Sequence, residues 1–362
     1  MYIGLRLNAM LRQRWLALIC ITLSALCFWC CTPSDERANS RKSPSRRHES
    51  VSFVKELPRL LLINSYDYGY PWTRGITRAA AALLQVQLDE QGYAKAQSTG
   101  AVLLKIEYMD TKRNVEPDFI ASAVRRMEGV IEQFQPDLLL VSDDNAVKYL
   151  VVPNCRKWKF PVIFCGVNGS ADEYDLPPEK VVGMVEVQLV DQIVDHLQKY
   201  AKGPRIGFLK GNDYSARKEA QFYAERLNLP LDIRLVATFD QWKEQYLRLQ
   251  SEVDMLLIGN SSRVMGWDAQ QAKVFIDRAT RIPTGNWDSW MAPFALITLA
   301  TQPEEQGRWI ANQALKILDG VPVSQLENSQ NRQAAISLNM TLAKKLGITF
   351  PANFLLQARL AH

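Results

Sequence analysis

Short branched-aliphatic runs alternate with helical patterns along most of this 362-residue chain, and no other feature restricts its architecture as much. Residues 60–63, 102–109, 138–141, 162–165, 181–187, 205–209, 233–237 and 255–258 read as strands. Several are apolar without interruption, as expected of strands covered on both faces of a parallel sheet. Between them, residues 73–91 read as a helix, with Ile76, Ala79, Ala80, Leu83, Leu84 and Val86 forming a broad apolar face. Further helices are expected over 116–134, 145–151, 190–200, 215–228, 241–252 and 269–279. Strands separated by helices of this length imply right-handed crossovers and parallel pairing. The pattern restarts near residue 181, and the chain is long for a single core. The fold class expected is α/β, with two doubly wound parallel-sheet lobes.

Charge argues against a nucleic-acid partner. Eight basic residues stand against Asp35 and Glu36 before residue 49, a surplus of six, so the remaining 35 basic and 36 acidic residues sum to −1. A near-neutral body offers no broad footprint for a phosphate backbone. The basic surplus instead flanks an apolar run, 15–31, which reads as a signal peptide, lipoprotein leader or membrane anchor occupying residues 1–31, with a polar tether over 32–56. Cys27, Cys30 and Cys31 are candidate lipidation positions, although Leu26, Trp29 and Cys30 precede them where small residues are usual. Either reading places the body outside the cytoplasm. Cys155 and Cys165 are the body's cysteines and read as free thiols. No metal-ligand spacing is present: His48 is in the tether, His196 stands alone and His362 is the last residue, so neither metal nor cofactor is expected.

Polar residues recur where the strands end. They are Ser65 and Tyr66; Ser142, Asp143, Asp144 and Asn145; Asn168; Asn212 and Asp213; Asn260 and Ser261; and Asn286 and Trp287. Taken singly, each cluster can be turn and cap chemistry, because Asp, Asn and Ser accept backbone N–H groups at helix starts. Together they hold Tyr66, Tyr70, Trp72, Tyr214, Trp287 and Trp290, and a cleft with aromatic walls, carboxylates and amides suits a small polar organic solute. The loop 64–72 alone carries three tyrosines and a tryptophan. Neighbouring side chains of an extended segment point to opposite sides, so Asp143 and Asp144 make a poor acid/base dyad. One of them can hold an ammonium group while the other caps the next helix. No nucleophile elbow, phosphate-cradling loop or dinucleotide fingerprint accompanies them, and the protein does not read as an enzyme.

The stretches Asn64-Ser65-Tyr66, Gly69-Tyr70-Pro71-Trp72, Ser142-Asp143-Asp144-Asn145-Ala146, Phe164-Cys165-Gly166-Val167-Asn168, Ile282-Pro283-Thr284-Gly285 and Pro303-Glu304-Glu305-Gln306-Gly307 resemble the ABC-transporter substrate-binding proteins of the type I periplasmic-binding fold. The resemblance runs from about residue 57 to 351, and it includes 340–350. It implies two lobes joined by three crossovers, with 57–170 and 301–320 in the first lobe, 171–300 and 321–352 in the second, and 353–362 as a tail. It also implies that a ligand is clamped between the lobes by hinge closure. The ligand-binding positions expected are Ser65, Tyr66, Tyr70, Trp72, Ser142, Asp143, Asp144, Asn145, Asn168, Asn212, Asp213, Tyr214, Asn260 and Trp287. The expected function is a periplasmic receptor that delivers a small solute, amino-acid-like by preference, to an ABC permease. A ligand-sensing subunit docked on a membrane signalling protein is the alternative, and a carboxylate-based enzyme is the least favoured reading.

Overall fold

The structure is a computed structural model that describes residues 56–96, 100–228 and 230–361. The expected leader and most of the tether lie outside these residues. Among the described residues, no helix is long and apolar enough to cross a membrane.

The first sheet is built from β1 (Arg59–Asn64), β2 (Leu103–Tyr108), β3 (Leu138–Ser142), β4 (Val162–Asn168) and β5 (Val181–Glu186). Its helices are α1 (Pro71–Leu83), α2 (Pro117–Phe134), α3 (Asp143–Ala146) and α4 (Val152–Asn154), the last two joined by a π-turn over Val147–Val151. The apolar run of β1 is buried along its whole length. Leu60 and Leu62 enter the core on one face of the sheet, and Leu61 and Ile63 the core on the other. That division is the period-two geometry of a strand covered on both sides. Helix α1 is shorter than its pattern: it ends at Leu83, and Gln85 takes a left-handed φ of 58°.

The second sheet follows with α5 (Val190–Gln198), β6 (Ile206–Gly211), α6 (Tyr214–Leu227), β7 (Leu231–Val236), α7 (Phe239–Glu252), β8 (Met255–Ile258), α8 (Ala269–Ala279), β9 (Thr284–Asn286) and β10 (Ile297–Thr301). Thr238 and Gln241 form a capping box at the start of α7, satisfying backbone donors there reciprocally. Trp242 and Tyr246 of that helix stack at 4.9 Å inside the second core. The chain then returns to the first sheet through α9 (Pro303–Leu318) and β11 (Ser329–Gln330), and finishes in the second with β12 (Ala334–Asn339), α10 (Met340–Leu346), α11 (Ala352–Gln357) and β13 (Ala358–Ala361).

The six-stranded sheet has the order β11-β5-β4-β3-β1-β2 and is parallel throughout. The seven-stranded sheet has the order β13-β12-β10-β9-β8-β6-β7 and is parallel except where β12 runs against β10. Two assignments move. Residues 181–187 had been expected in the second lobe, but β5 pairs with β4 and belongs to the first sheet. Likewise β11 pairs with β5, so the first lobe extends beyond residue 320. A short apolar strand carries no mark of which sheet it joins, and the change of sheet is written in the crossover that follows.

Three crossovers, at 187–189, 302 and 331–333, join the sheets, and they are bonded to one another. Asn331 accepts from the backbone N–H of Val187 at 2.7 Å and donates to its carbonyl at 3.0 Å. The Glu305 carboxylate, at the start of α9, accepts from the N–H groups of Arg332 and Gln333 at 2.9 and 2.8 Å. Thr301 donates to Glu186 at 3.1 Å. Below them α9 packs closely on α1: a Cβ on Gly307 would stand 2.1 Å from the Ile76 carbonyl oxygen. Cys155 and Cys165 are buried free thiols in the cores on opposite faces of the first sheet.

Candidate functional site

Both sheets end their parallel strands toward the crossovers, and a cavity of about 640 Å³ lies there between the two sets of strand ends. Tyr70, Trp72, Arg74, Arg78 and Glu186 wall it from the first lobe, and Trp287, Asp288, Trp290 and Thr301 from the second.

On the first lobe the polar strand ends are bonded largely to each other. Ser65 Oγ donates to the Ser142 carbonyl at 2.6 Å and accepts from the Ala146 N–H at 2.7 Å, so it locks the turn between β3 and α3. Thr111 donates to the Ser65 carbonyl at 2.6 Å, and Asn145 donates to Thr111 Oγ1 at 3.0 Å. These contacts tie the ends of β1, β2 and β3 into one polar floor. Ser65 and Ser142 are buried within it rather than presented to the cavity.

Asp143 takes a left-handed φ of 68° at this turn, and its side chain is buried. Its Oδ1 accepts from Trp72 Nε1 at 2.9 Å. Burial raises its pKa to about 8, against the Ser142 hydrogen bond, with the field of Glu186 adding to the rise. The carboxyl is therefore mostly protonated at neutral pH. Ser142 Oγ lies 3.0 Å from Asp143 Oδ2 and 2.9 Å from Asn64 Oδ1, so its one proton goes to one of the two. Gly166, at φ 73°, leaves the space this carboxyl needs, since a Cβ there would stand 2.8 Å from Asp143 Oδ1.

The expectation that one aspartate of the pair caps the next helix does not match the geometry: α3 has no side-chain cap. Asp143 turns to Trp72, and Asp144 turns the other way, accepting from the Asn168 amide and backbone N–H. Glu186, half-buried at the end of β5, has its pKa raised to about 7 by desolvation. The Thr301 hydrogen bond and Lys112 oppose that rise, and Asp144 and Asp288 contribute to it. Asp143 thus feels the charges of Glu186 and Asp144, and Glu186 those of Asp144 and Asp288.

On the second lobe Trp287 is 4% exposed, stacked on Phe208 at 6.1 Å and meeting Tyr223 edge-on at 5.4 Å. It is a core residue with one side toward the cavity. Asp288 has its pKa raised by burial, against a hydrogen bond from Asn260 and the charge of Lys210. Asp213 caps α6 by accepting from the Ala216 N–H at 2.6 Å, Asn212 accepts from Arg217 at 2.9 Å, and Asn260 accepts from Ser262. These three serve turns and stand outside the lining of the cavity. The side chain of Tyr214 lies outside the described residues.

Of the positions expected from sequence, Tyr70, Trp72 and Trp287 come together on the cavity wall. Tyr66, Asp144, Asn145 and Asn168 belong to the strand ends beside it. Sequence reasoning missed Glu186, Gln188, Asp288, Thr301 and Glu304 in the wall, and Lys112 over the tyrosines. For Glu186 there was a signal, because it ends an otherwise apolar strand with a carboxylate. Among the described residues, no cluster of ligating side chains could hold a metal ion.

No protein-family model matches the chain, and no curated protein matches its sequence. Solved structures do match its shape. The ligand-free, open structure of CD0873, a substrate-binding protein with adhesive properties from Clostridium difficile, aligns over 84% of this chain and 99% of its own, with a TM-score of 0.60 at 15% identity. A conserved domain protein from Vibrio cholerae aligns over 85% and 100%, with a TM-score of 0.52 at 16% identity. The ABC domain in complex with L-Trp from Streptococcus pneumonia aligns over 84% and 99%, with a TM-score of 0.50 at 16% identity. With its two mostly parallel sheets and the crossovers between them, the chain has the type I periplasmic-binding fold that these substrate-binding structures share.

Proposed function

We propose that this protein is an extracytoplasmic solute receptor that clamps a small organic ammonium compound, amino-acid-like or aromatic, between its lobes and hands it to an ABC importer. The observation that carries this reading is the cavity between the two sets of strand ends, with indole walls and carboxylates from both lobes beside Arg74 and Arg78. Aromatic walls take a flat apolar body, and carboxylates withdrawn from water hold a cationic group by charge-assisted hydrogen bonds. The linked crossovers serve as the hinge, and a solute that touches both lobes stabilises the closed state by its differential affinity. Asp143 is committed to Trp72 and acts by positioning it; Glu186 and Asp288, both in the cavity wall, are the groups offered to the solute.

A thermal-shift screen of the full chain against amino acids, amines, sugars, nucleosides and organic acids tests this. Ligands that bind the folded state raise its melting temperature by mass action. A shift with amines or amino acids, without turnover of the compound, supports the receptor. A shift confined to sugars or organic acids, or none at all, contradicts it.

A further inference from the structure

The cavity wall carries Arg74 and Arg78, and a further cation, Lys112, stands beside it against Tyr70. Lys112 Nζ lies over the Tyr66 ring at 4.6 Å from the centroid and over the Tyr70 ring at 4.9 Å. The two rings meet edge-on at 5.6 Å and 89°, so one ammonium lies against both faces at once. The Tyr66 hydroxyl is withdrawn from water and faces the carboxyl groups of Asp143, Asp144 and Glu186, and the charge of Lys112 reaches Glu186 in turn. Two π faces within a field of carboxylates are the surroundings that recognise an organic ammonium ion.

The backbone beneath this lysine is fixed while its side chain is not. Thr111 is buried, its N–H donating to the Ser65 carbonyl at 2.9 Å and its hydroxyl at 2.6 Å. Lys112 itself is exposed, and among the described residues it makes no hydrogen bond or ion pair with a carboxylate. A four-carbon stem on a fixed base can swing its ammonium out of the cage without disturbing the strand ends. Tyr66 is only 8% exposed, and Lys112 covers the face it has left.

We propose that Lys112 is an internal stand-in for the ligand: it fills the Tyr66–Tyr70 cage in the empty protein and is displaced by the ammonium group of the solute. This rests on the receptor reading above and adds which part of the solute is read, and where. It also assigns Lys112 a competing role rather than that of a partner for a ligand carboxylate. Displacement makes binding selective, because a neutral or anionic molecule gains nothing from the vacated cage.

Calorimetric titration of the full chain with three related probes tests the proposal: tryptamine, a cation; L-tryptophan, a zwitterion; and indole-3-acetate, an anion. Lys112→Gln removes the competitor and its repulsion while leaving an exposed polar side chain, and should tighten tryptamine about tenfold, the scale of a partly desolvated cation–π contact. Tyr70→Leu should weaken tryptamine and abolish the gain from Lys112→Gln. If Lys112→Gln leaves tryptamine unchanged or weaker, or if its main effect is lost affinity for indole-3-acetate, the lysine is not a stand-in, and the receptor reading survives. Absence of binding by every probe to both proteins, together with an empty thermal screen, overturns the receptor reading itself.

Discussion

Trp72 donates its indole N–H to Asp143 across 2.9 Å, tying a wall of the cleft to a buried acid beneath it. The bond accounts for two features that would otherwise be costly. The left-handed backbone at Asp143 is held by contacts on both carboxyl oxygens, and the indole is fixed edge-down without losing its donor. An oriented indole loses less freedom when a ligand stacks against it.

The proton on Asp143 gives the protein a pH-dependent stability. The folded pKa, about 8, is raised above the ordinary 3.8, so between roughly pH 4 and 8 the folded state holds a proton that the unfolded state has lost. Stability therefore falls as pH rises through this window. In Asp143→Asn, a neutral isostere, that part of the slope should vanish, so the variant should match the wild type near pH 4 and gain on it by about 1 kcal/mol for each pH unit above that. Urea denaturation at pH 5, 7 and 8.5 measures both, and a slope unchanged by the substitution contradicts the assignment.

Glu186 should tune affinity rather than stability alone. Its pKa of about 7 is set by burial, by Thr301 and by the charges facing it from Asp144, Lys112 and Asp288. A bound ammonium favours the ionised form, so affinity for an amine should rise between pH 6 and 8. Glu186→Gln should weaken amine binding at pH 8 and flatten this rise, as followed by calorimetry. An identical pH profile in the variant removes Glu186 from the site.

Trp72 and Trp287 should separate in their responses, although both line the cavity. Trp72→Ala should weaken solute binding by about 1–3 kcal/mol and, by removing the donor to Asp143, cost about 1–3 kcal/mol of stability. Trp287 is stacked inside the second core, so Trp287→Ala should cost about 3–5 kcal/mol of stability.

Gly307→Ala should destabilise the protein by about 1–3 kcal/mol, because the added methyl meets backbone at the contact of α9 with α1. Thermal denaturation of the variant shows this directly. An unchanged midpoint means that the two helices can part at no cost.

Much of this architecture could be read in the sequence because buried parallel strands declare themselves: the runs at Leu60–Ile63 and Met255–Ile258 have no other way to be satisfied. What escaped depends on long-range pairing. Nothing local in Val181–Glu186 or Ser329–Gln330 says that they join the first sheet, and nothing in Ala334–Asn339 says that it runs antiparallel. The same holds at the candidate site. Aromatic residues in a loop are conspicuous, so Tyr70 and Trp72 could be picked out. Ser65, Asp213 and Asn260 have the composition of a ligand site and the geometry of turn bonding, a difference that only tertiary structure resolves. Lys112 stands among ordinary charges after a strand, and its place over two rings follows from the β1–β2 pairing.

The central claim, that one solute is gripped by both lobes, is tested most directly by hydrogen–deuterium exchange of the full chain with and without the strongest amine from the thermal screen. Binding between the lobes predicts slower exchange at 64–75 and at 284–292 together, with the hinge at 329–333 also altered. Protection on one lobe alone, or only at surfaces away from the strand ends, would contradict it.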